Sequence, residues 1–154
     1  MNNELLSKGL AELGLADESL LNGLSRYLRA IEEWNPAYGL VGASGDELVV
    51  KHILDSLAPL AVMDGLAASI AASAAGMAAA PAAVSLADLG TGAGLPGIPL
   101  ALARPAWRVS LVDRMTRRIN FLKEMLLALP LDNVDIVEEQ RSEEHTSELQ
   151  SPNT

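Results

Sequence analysis

Residues 88–97 read DLGTGAGLPG, directly after the apolar run VSLADL at residues 84–89. A short apolar run that ends in glycines is typical of a buried parallel strand entering a tight turn. Helical spacing follows from Gly97 to Arg104, so the segment predicts a strand, a turn and a helix. Glycines in such a turn adopt positive φ and let the backbone approach a ligand closely.

The alternation of strand and helix continues after this turn. Residues 107–112 predict a second strand, residues 115–129 an amphipathic helix that ends before Pro130, and residues 133–138 a third strand. This β-α-β-α-β order is half of a doubly wound, Rossmann-like sheet of the α/β class. Right-handed crossovers place the strands in the order 3-2-1, and we expect the outer edge of the first strand to receive the missing second half.

Helical spacing dominates the chain before this half-sheet. Residues 3–14 and 17–34 predict two helices, the second with Asp17 as N-cap and a stop at Asn35 and Pro36. The spacing of Ser44 and Glu47 suits a capping box at the start of a third helix that runs to about residue 60. We therefore predict a helical subdomain over residues 1–64, an Ala-rich connector over 65–83, to which we assign no function, and a partial Rossmann-like domain over 84–140.

Composition excludes several classes of site. The 154 residues include no cysteine, which excludes disulfides, thiolate zinc sites and thiol nucleophiles. A net charge of −9 argues against a uniformly basic surface for nucleic acid, although a local basic patch stays open. The N-terminus lacks the pattern of a secretory signal, and residues 57–89 are too weakly apolar to insert into a membrane. We expect a cytoplasmic protein with no membrane contact and no metal.

The last residues depart from the apolar periodicity. Residues 141–152 read RSEEHTSELQSP, which resembles the in-frame translation of a short-read sequencing adapter. A natural polar tail is the alternative, but twelve successive residues match the adapter. We therefore expect the native frame to be lost near Gln140 and treat residues 141–154 as a non-native tail, set aside from fold reasoning.

The glycine turn and the next strand end together predict a site for an adenosine-type cofactor. Asp113 ends the second strand, where a carboxylate accepts hydrogen bonds from two ribose hydroxyls. The GxGxxG spacing also suits NAD, so an NAD-binding oxidoreductase domain stays open. S-adenosylmethionine is favoured because Asp88 would repel a pyrophosphate and Pro96 would crowd it; Asp88 either meets the cofactor's ammonium or caps the turn. The predicted cofactor contacts are Asp88, Gly90, Gly92, Gly94, Leu95 and Asp113.

Four motifs together resemble the small-subunit ribosomal RNA guanine N7-methyltransferases, also called glucose-inhibited division protein B. They are EWNPAYGL at residues 33–40, HILDS at 52–56, DLGTGAGLPGIP at 88–99, and Asp113 followed by Arg118 and FL at 121–122. The resemblance spans residues 1 to about 140. It implies a class I methyltransferase fold, S-adenosylmethionine as methyl donor, a guanine of small-subunit ribosomal RNA as acceptor, and a bacterial cytoplasmic setting. By motif position it implies cofactor contacts at Gly90, Leu95 and Asp113.

Methyl transfer to guanine N7 needs no general base, because this nitrogen keeps an in-plane lone pair. Catalysis then rests on alignment, and we assign no catalytic residue. His52 and Asp55 are interpreted mainly as structural or helix-surface groups, and Trp34 and Tyr38 as packing residues rather than base-stacking ones. The family's remaining cofactor and acceptor elements follow residue 140, so we expect this chain alone to bind cofactor weakly and not to methylate RNA. A non-enzymatic interaction module is a further alternative.

Basic residues concentrate near the second strand and the helix after it. Candidates for contact with RNA phosphates, or with the ribosomal subunit, are Arg104 and Arg108 and, above all, Arg114, Arg117, Arg118 and Lys123. A solvated helix face is an equally good interpretation of this density.

Overall fold

A three-stranded parallel sheet forms the centre of the second half of the chain. The computed structural model describes residues 3–74 and 84–139. Strands β1 (Ser85–Leu89), β2 (Arg108–Asp113) and β3 (Val134–Glu138) follow the order β1-β2-β3, with β2 in the middle. Ser85 lies opposite Arg108 and Val109 opposite Val134. The predicted order and the parallel direction are confirmed, as is the partial Rossmann-like α/β class.

Helices precede the sheet and connect its strands. The first helices are α1 (Asn3–Glu12), α2 (Glu18–Tyr38), α3 (Gly45–Leu48), a π-helix (Val49–Leu54), α4 (Asp55–Leu57) and α5 (Leu60–Ala74). Helix α6 (Gly97–Ala103) joins β1 to β2, and α7 (Thr116–Ala128) joins β2 to β3. The first two helices and the two crossover helices were predicted, whereas most of α5 lies in the stretch predicted as an Ala-rich connector.

Helix α2 begins as predicted but does not end as predicted. The Asp17 side chain accepts a hydrogen bond of 2.7 Å from the Leu20 amide, which confirms the N-cap. The stop at Pro36 is wrong, because the helix continues to Tyr38 and ends at Gly39, which has φ +59°. The Asn35 side chain donates to and accepts from the Val41 backbone, at 2.9 Å each. These bonds fasten the loop beyond the helix, whose C-cap is Gly39 in the left-handed region.

The third predicted helix is interrupted. Ser44 makes no side-chain capping hydrogen bond, so the capping-box prediction is wrong. Residues Val49–Leu54 form a π-helix, whose i→i+5 bonding widens the helix and is frequently found at functional sites. Hydrophobic periodicity did not reveal it, since Leu48, Val49 and Ile53 still face the interior.

Helix α2 packs across the crossover helices. A Cβ on Gly23 would lie 3.2 Å from the side chain of Leu102, so α2 lies closely on α6. The ring of Trp34 lies 5.7 Å from that of Phe121 on α7, and 4.9 Å from that of Tyr38, between ring centroids. This confirms the packing interpretation for Trp34. The helical half and the sheet therefore share one core.

Helix α5 is long and largely exposed. It covers residues 65–74 of the predicted connector, and residues 75–83 lie outside the described residues. Its apolar residues Val62, Leu66 and Ile70 are at least 60% exposed. By length and composition the helical stretch Gly45–Ser73, mean hydropathy 1.5, is able to cross a membrane, which is weak evidence because core helices pass the same test. The described stretch also carries the ion pair of Asp64 with Arg104.

Candidate functional site

The glycine turn stands at the carboxyl ends of β1 and β2. Gly90, Gly92 and Gly94 have φ of +72°, +61° and +93°, a region that residues with a Cβ avoid, as the sequence predicted. The amides of Gly90 and Thr91 both donate to the Val112 carbonyl, at 2.8 and 3.1 Å. These bonds bend the chain over the end of the neighbouring strand, so the turn lies where open α/β sheets bind their ligands.

The four glycines of the turn divide into two pairs. A Cβ on Gly90 meets nothing within 4 Å, and one on Gly92 meets only the Gly90 carbonyl oxygen, at 3.9 Å. A Cβ on Gly94 lies 2.5 Å from Ile98, and one on Gly97 lies 2.8 Å from the Asp88 carboxylate. The first pair leaves room for a ligand, whereas the second pair allows the turn to pack closely. Gly94 therefore has a packing role in the turn, and its contact with a cofactor stays a prediction.

Asp88 organises the turn. Its Oδ2 accepts hydrogen bonds from the Thr91 hydroxyl at 2.7 Å and from the Gly97 amide at 2.9 Å. The second bond satisfies an otherwise unpaired amide at the start of α6. Of the two roles that the sequence left open for Asp88, this geometry supports the cap of the turn.

Asp113 at the end of β2 also binds the turn. Its carboxylate accepts from the amides of Gly92 and Met115, both at 2.9 Å, and from the Arg118 guanidinium at 3.3 Å. Only 3% of Asp113 is exposed. Burial alone raises its pKa, but the Met115 and Gly92 amides and the Arg118 charge outweigh burial and lower the pKa below its usual value. The acid is therefore ionised, and the ribose predicted from the sequence would share it with these donors.

Tyr27 of α2 anchors the turn through a buried hydrogen bond, a role that the sequence did not predict. Its hydroxyl donates to the Ala93 carbonyl at 2.6 Å, and the tyrosine is completely buried. Burial raises its pKa well above the usual value, and the negative charge of Asp88 raises it further. The hydroxyl thus stays a donor. A tyrosine on an apolar helix stripe was the available signal, but the sequence did not give its partner.

The predicted RNA contacts separate into free and engaged side chains. Arg114, Arg117 and Lys123 are exposed. Arg118 is half-buried and pairs with Asp113, so it belongs to the glycine turn. Arg104 grips the Asp64 carboxylate with two guanidinium nitrogens, at 2.9 and 2.5 Å. The basic segment is therefore partly a structural one.

A groove of about 320 Å³ opens beside the turn. Leu95 and Pro96 form one wall, and the π-helix with the residues after it forms the other. The lining residues from that wall are Lys51, His52, Asp55, Ser56 and Pro59. The HILDS motif at residues 52–56, interpreted from sequence as mainly structural, thus lies next to the predicted cofactor turn.

Comparison with known proteins assigns the chain to a family. The model of the family described as rRNA small subunit methyltransferase G, GidB, matches residues 20–151. The matched range contains the glycine turn, Asp113 and the groove, and it is well over half of the chain. The chain belongs to this family. The range also extends past Gln140, and the non-native tail stays a prediction.

Curated members of the rRNA small subunit methyltransferase G family match most of the chain. The protein of that name from Stenotrophomonas maltophilia is 40% identical over 136 residues, which is 86% of this chain and 54% of the relative. The one from Nitrosospira multiformis is 38% identical over 136 residues, 87% and 55% of the two chains. The one from Nitrosococcus oceani is 35% identical over 141 residues, 90% and 58%. The chain spans about half the length of the curated relatives it matches.

Proposed function

We propose that this chain carries the S-adenosylmethionine-binding part of a methyltransferase that acts on guanine N7 of small-subunit ribosomal RNA. The glycine turn supports an adenosine-type ligand, because Gly90 and Gly92 leave open space beside Asp113 at the carboxyl end of the sheet. Asp113 and the backbone of Gly90 and Leu95 would hold the adenosine.

One observation favours a methyl donor over a dinucleotide. Pyrophosphates bind at helix N-termini, through free backbone amides and the helix dipole. Here the Asp88 carboxylate already accepts from the Gly97 amide, where α6 begins. The amides of Gly90, Thr91, Gly94 and Leu95 also donate to protein carbonyls, and that of Gly92 donates to Asp113. A pyrophosphate would meet a carboxylate and few free donors, whereas a sulfonium cofactor carries no phosphate.

Methyl transfer to guanine N7 requires the protein to align the methyl donor with its acceptor. S-adenosylmethionine, when bound, would supply an electrophilic methyl group to guanine N7, whose lone pair needs no deprotonation, and its sulfur would leave as the neutral thioether of S-adenosylhomocysteine. The chain's contribution is to hold the donor rigidly: Tyr27 fixes Ala93, Asp88 fixes the start of α6, and Asp113 fixes Gly92. Rigid positioning of this kind lowers the entropic part of the barrier.

The acceptor is proposed from the relatives and from the charge distribution. The curated relatives are named as small-subunit ribosomal RNA methyltransferases. Arg114, Arg117 and Lys123 are exposed cations close in sequence to the cofactor acid Asp113, and exposed cations bind RNA phosphates without reading sequence. We place the protein in the cytoplasm, where ribosomal subunits are its substrate.

Competitive binding tests the proposal. S-adenosylhomocysteine and NADH are titrated into the chain by calorimetry, separately and in competition. We expect S-adenosylhomocysteine to bind and NADH to leave its affinity unchanged. Tighter binding of NADH, or no binding of S-adenosylhomocysteine, would contradict the proposal. The variant Gly92→Val, which cannot adopt φ +61° without strain, should lose the binding; Gly42→Val, at an exposed glycine with open space, serves as the control.

A further inference from the structure

The outward side of helix α5 carries a row of large apolar residues. Val62, Leu66 and Ile70 are 76%, 63% and 60% exposed. Their spacing of four residues places them one above the other on a single face of the helix; we call these three residues the large row. Exposed apolar residues on soluble proteins are usually scattered singly, whereas a contiguous apolar surface marks a site of interaction. The large row is therefore a candidate interaction surface.

The ion pair of Asp64 with Arg104 fixes which side of α5 faces outward. Asp64 is the only charged residue of α5, and its carboxylate accepts from two guanidinium nitrogens of Arg104, at the end of α6. It lies two residues from Val62 and from Leu66, which is the opposite side of an α-helix. The face that carries the large row therefore has no charge of its own, and two such faces can meet without electrostatic repulsion.

A row of small residues runs beside the large row. Gly65, Ser69 and Ser73, which we call the small row, have the same spacing of four residues. The Ser69 hydroxyl donates to the Gly65 carbonyl at 3.0 Å, and the Ser73 hydroxyl donates to the Ser69 carbonyl at 2.9 Å. Both hydroxyl protons are thus paired inside α5, so burying the small row leaves no unsatisfied donor. A Cβ on Gly65 would meet nothing within 4 Å, so the space beside the row is open.

The two rows make this face complementary to itself. Both follow the i±4 ridges of the helix, and two helices that pack by these ridges cross at about −50°. A two-fold axis presents the same surface from both sides, and it then lays the large row of each copy on the small row of the other. Leu66 and Ser69 are the middle members of their rows, so they meet at the crossing point. This match favours a second copy of the chain over an unrelated partner.

We propose that α5 binds α5 of a second copy through the large and small rows and forms a two-fold symmetric dimer. The inference does not depend on the proposed function, since no residue of the glycine turn takes part.

The area of the contact indicates a weak, reversible dimer. Fully burying a Val, Leu or Ile side chain removes roughly 60–120 Å² of apolar surface from water, so the six residues of two large rows contribute roughly 200–550 Å². Contacts that bury less than about 1,200 Å² belong to weak complexes. We therefore expect a dissociation constant on the order of 100 μM.

Sedimentation equilibrium of the full chain, at concentrations below and above this value, tests the inference. Leu66→Gln places an amide in the middle of the large row and should weaken the dimer about ten-fold or more. Leu127→Gln is the matched control, because Leu127 is an 83% exposed leucine on α7. It should change the dissociation constant less than about two-fold.

A second variant separates matched rows from general stickiness. Ser69→Leu adds apolar surface but places a large side chain against Leu66 of the partner copy. If the rows fit as proposed, the dimer weakens about ten-fold. If the copies associate only because α5 is apolar, the same variant tightens the association, and the inference is overturned.

Cross-linking tests the position of the contact. The chain has no cysteine, so Leu66→Cys and Ser69→Cys each carry a single thiol. A disulfide needs Cβ atoms about 3.5–4.5 Å apart, a separation that the crossing point provides between these two positions. Under mild oxidation, a mixture of the two variants should form several-fold more cross-linked dimer than either variant alone. Equal yields in all three samples would contradict the proposed contact.

The remaining outcomes each overturn the inference. The chain stays monomeric at every concentration, or Leu89→Gln, at the open edge of the sheet, abolishes association while Leu66→Gln does not. Alternatively, the chain binds phosphatidylcholine vesicles and forms no dimer in their absence, which would assign the face to lipid. Thermal melts verify that the variants fold, since every altered residue is exposed.

Discussion

Removing the hydroxyl of Tyr27 tests how the glycine turn is held. Tyr27→Phe keeps the ring in its buried site and deletes the donor of the 2.6 Å hydrogen bond to the Ala93 carbonyl. Both residues are at most 2% exposed, so water cannot replace the lost donor. An unsatisfied buried acceptor costs about 1–3 kcal/mol. We therefore expect the free energy of unfolding to fall by this amount, and the melting temperature to fall by several degrees.

Urea unfolding, followed by the fluorescence of Trp34 and Trp107, measures the loss. Tyr38→Phe is the matched control, because Tyr38 lies on the same helix and its hydroxyl has no hydrogen-bond partner among the described residues. We expect the control to change stability by less than about 0.5 kcal/mol. Equal losses in the two variants would show that the hydroxyl of Tyr27 does not anchor the turn.

The pH dependence of stability tests the burial of the same hydroxyl. Folding raises the pKa of Tyr27 well above its usual value. Above the usual tyrosine pKa of about 10, the unfolded chain therefore releases a proton that the folded chain retains, and stability falls as the pH rises. Tyr27→Phe should lack this alkaline component, and Tyr38→Phe should keep it. An unchanged alkaline limb in Tyr27→Phe would contradict a buried, protonated hydroxyl.

Three further changes probe the turn and its surroundings. Gly97→Ala brings a Cβ against the Leu111 side chain and to 2.8 Å from the Asp88 carboxylate, so urea unfolding should show a loss of about 1–3 kcal/mol, whereas Gly42→Ala, in open space, should change little. Asp113→Asn should lower the free energy of unfolding by about 1–3 kcal/mol at pH 7. Folding lowers the pKa of Asp113, so this stabilisation is present above the usual carboxyl pKa of about 3.9 and is lost as the pH falls through the pKa of the folded protein. The free energies of unfolding of the two proteins should therefore converge in acid. Arg117→Ala should weaken binding of a small-subunit ribosomal RNA hairpin and reduce the slope of log affinity against log salt by about 1, and an unchanged slope would remove Arg117 from the interface.

The strand–turn–helix order was predictable because it depends on local patterns. The spacing of apolar residues fixes each strand and helix of the half-sheet to within a few residues, and right-handed crossovers then fix the strand order. The end of α2 was not predictable in this way. Pro36 is an ordinary stop signal, but the loop beyond it is held by the Asn35 side chain and by Gly39 in the left-handed region, and neither is visible as a periodicity.

The location of the candidate site was predictable from the sequence, but the different roles of its glycines were not. Three glycines with positive φ follow from the motif, yet only the packed structure shows that Gly90 and Gly92 face open space while Gly94 and Gly97 face side chains. The difference arises from long-range neighbours such as Leu111 and Leu122, which no spacing rule connects to the turn.

The contacts of Asp113 were likewise not predictable from the sequence alone. Its place at a strand end predicts an acid beside the glycine turn, and the same place lets it accept a hydrogen bond from the Gly92 amide, 21 residues earlier in the chain. Because the Gly92 amide donates to Asp113, the shape of the glycine turn depends on the ionisation of this carboxylate. In the proposed complex, a ribose that shares Asp113 would compete with Arg118, whose side chain is 39% exposed, rather than with the buried amides.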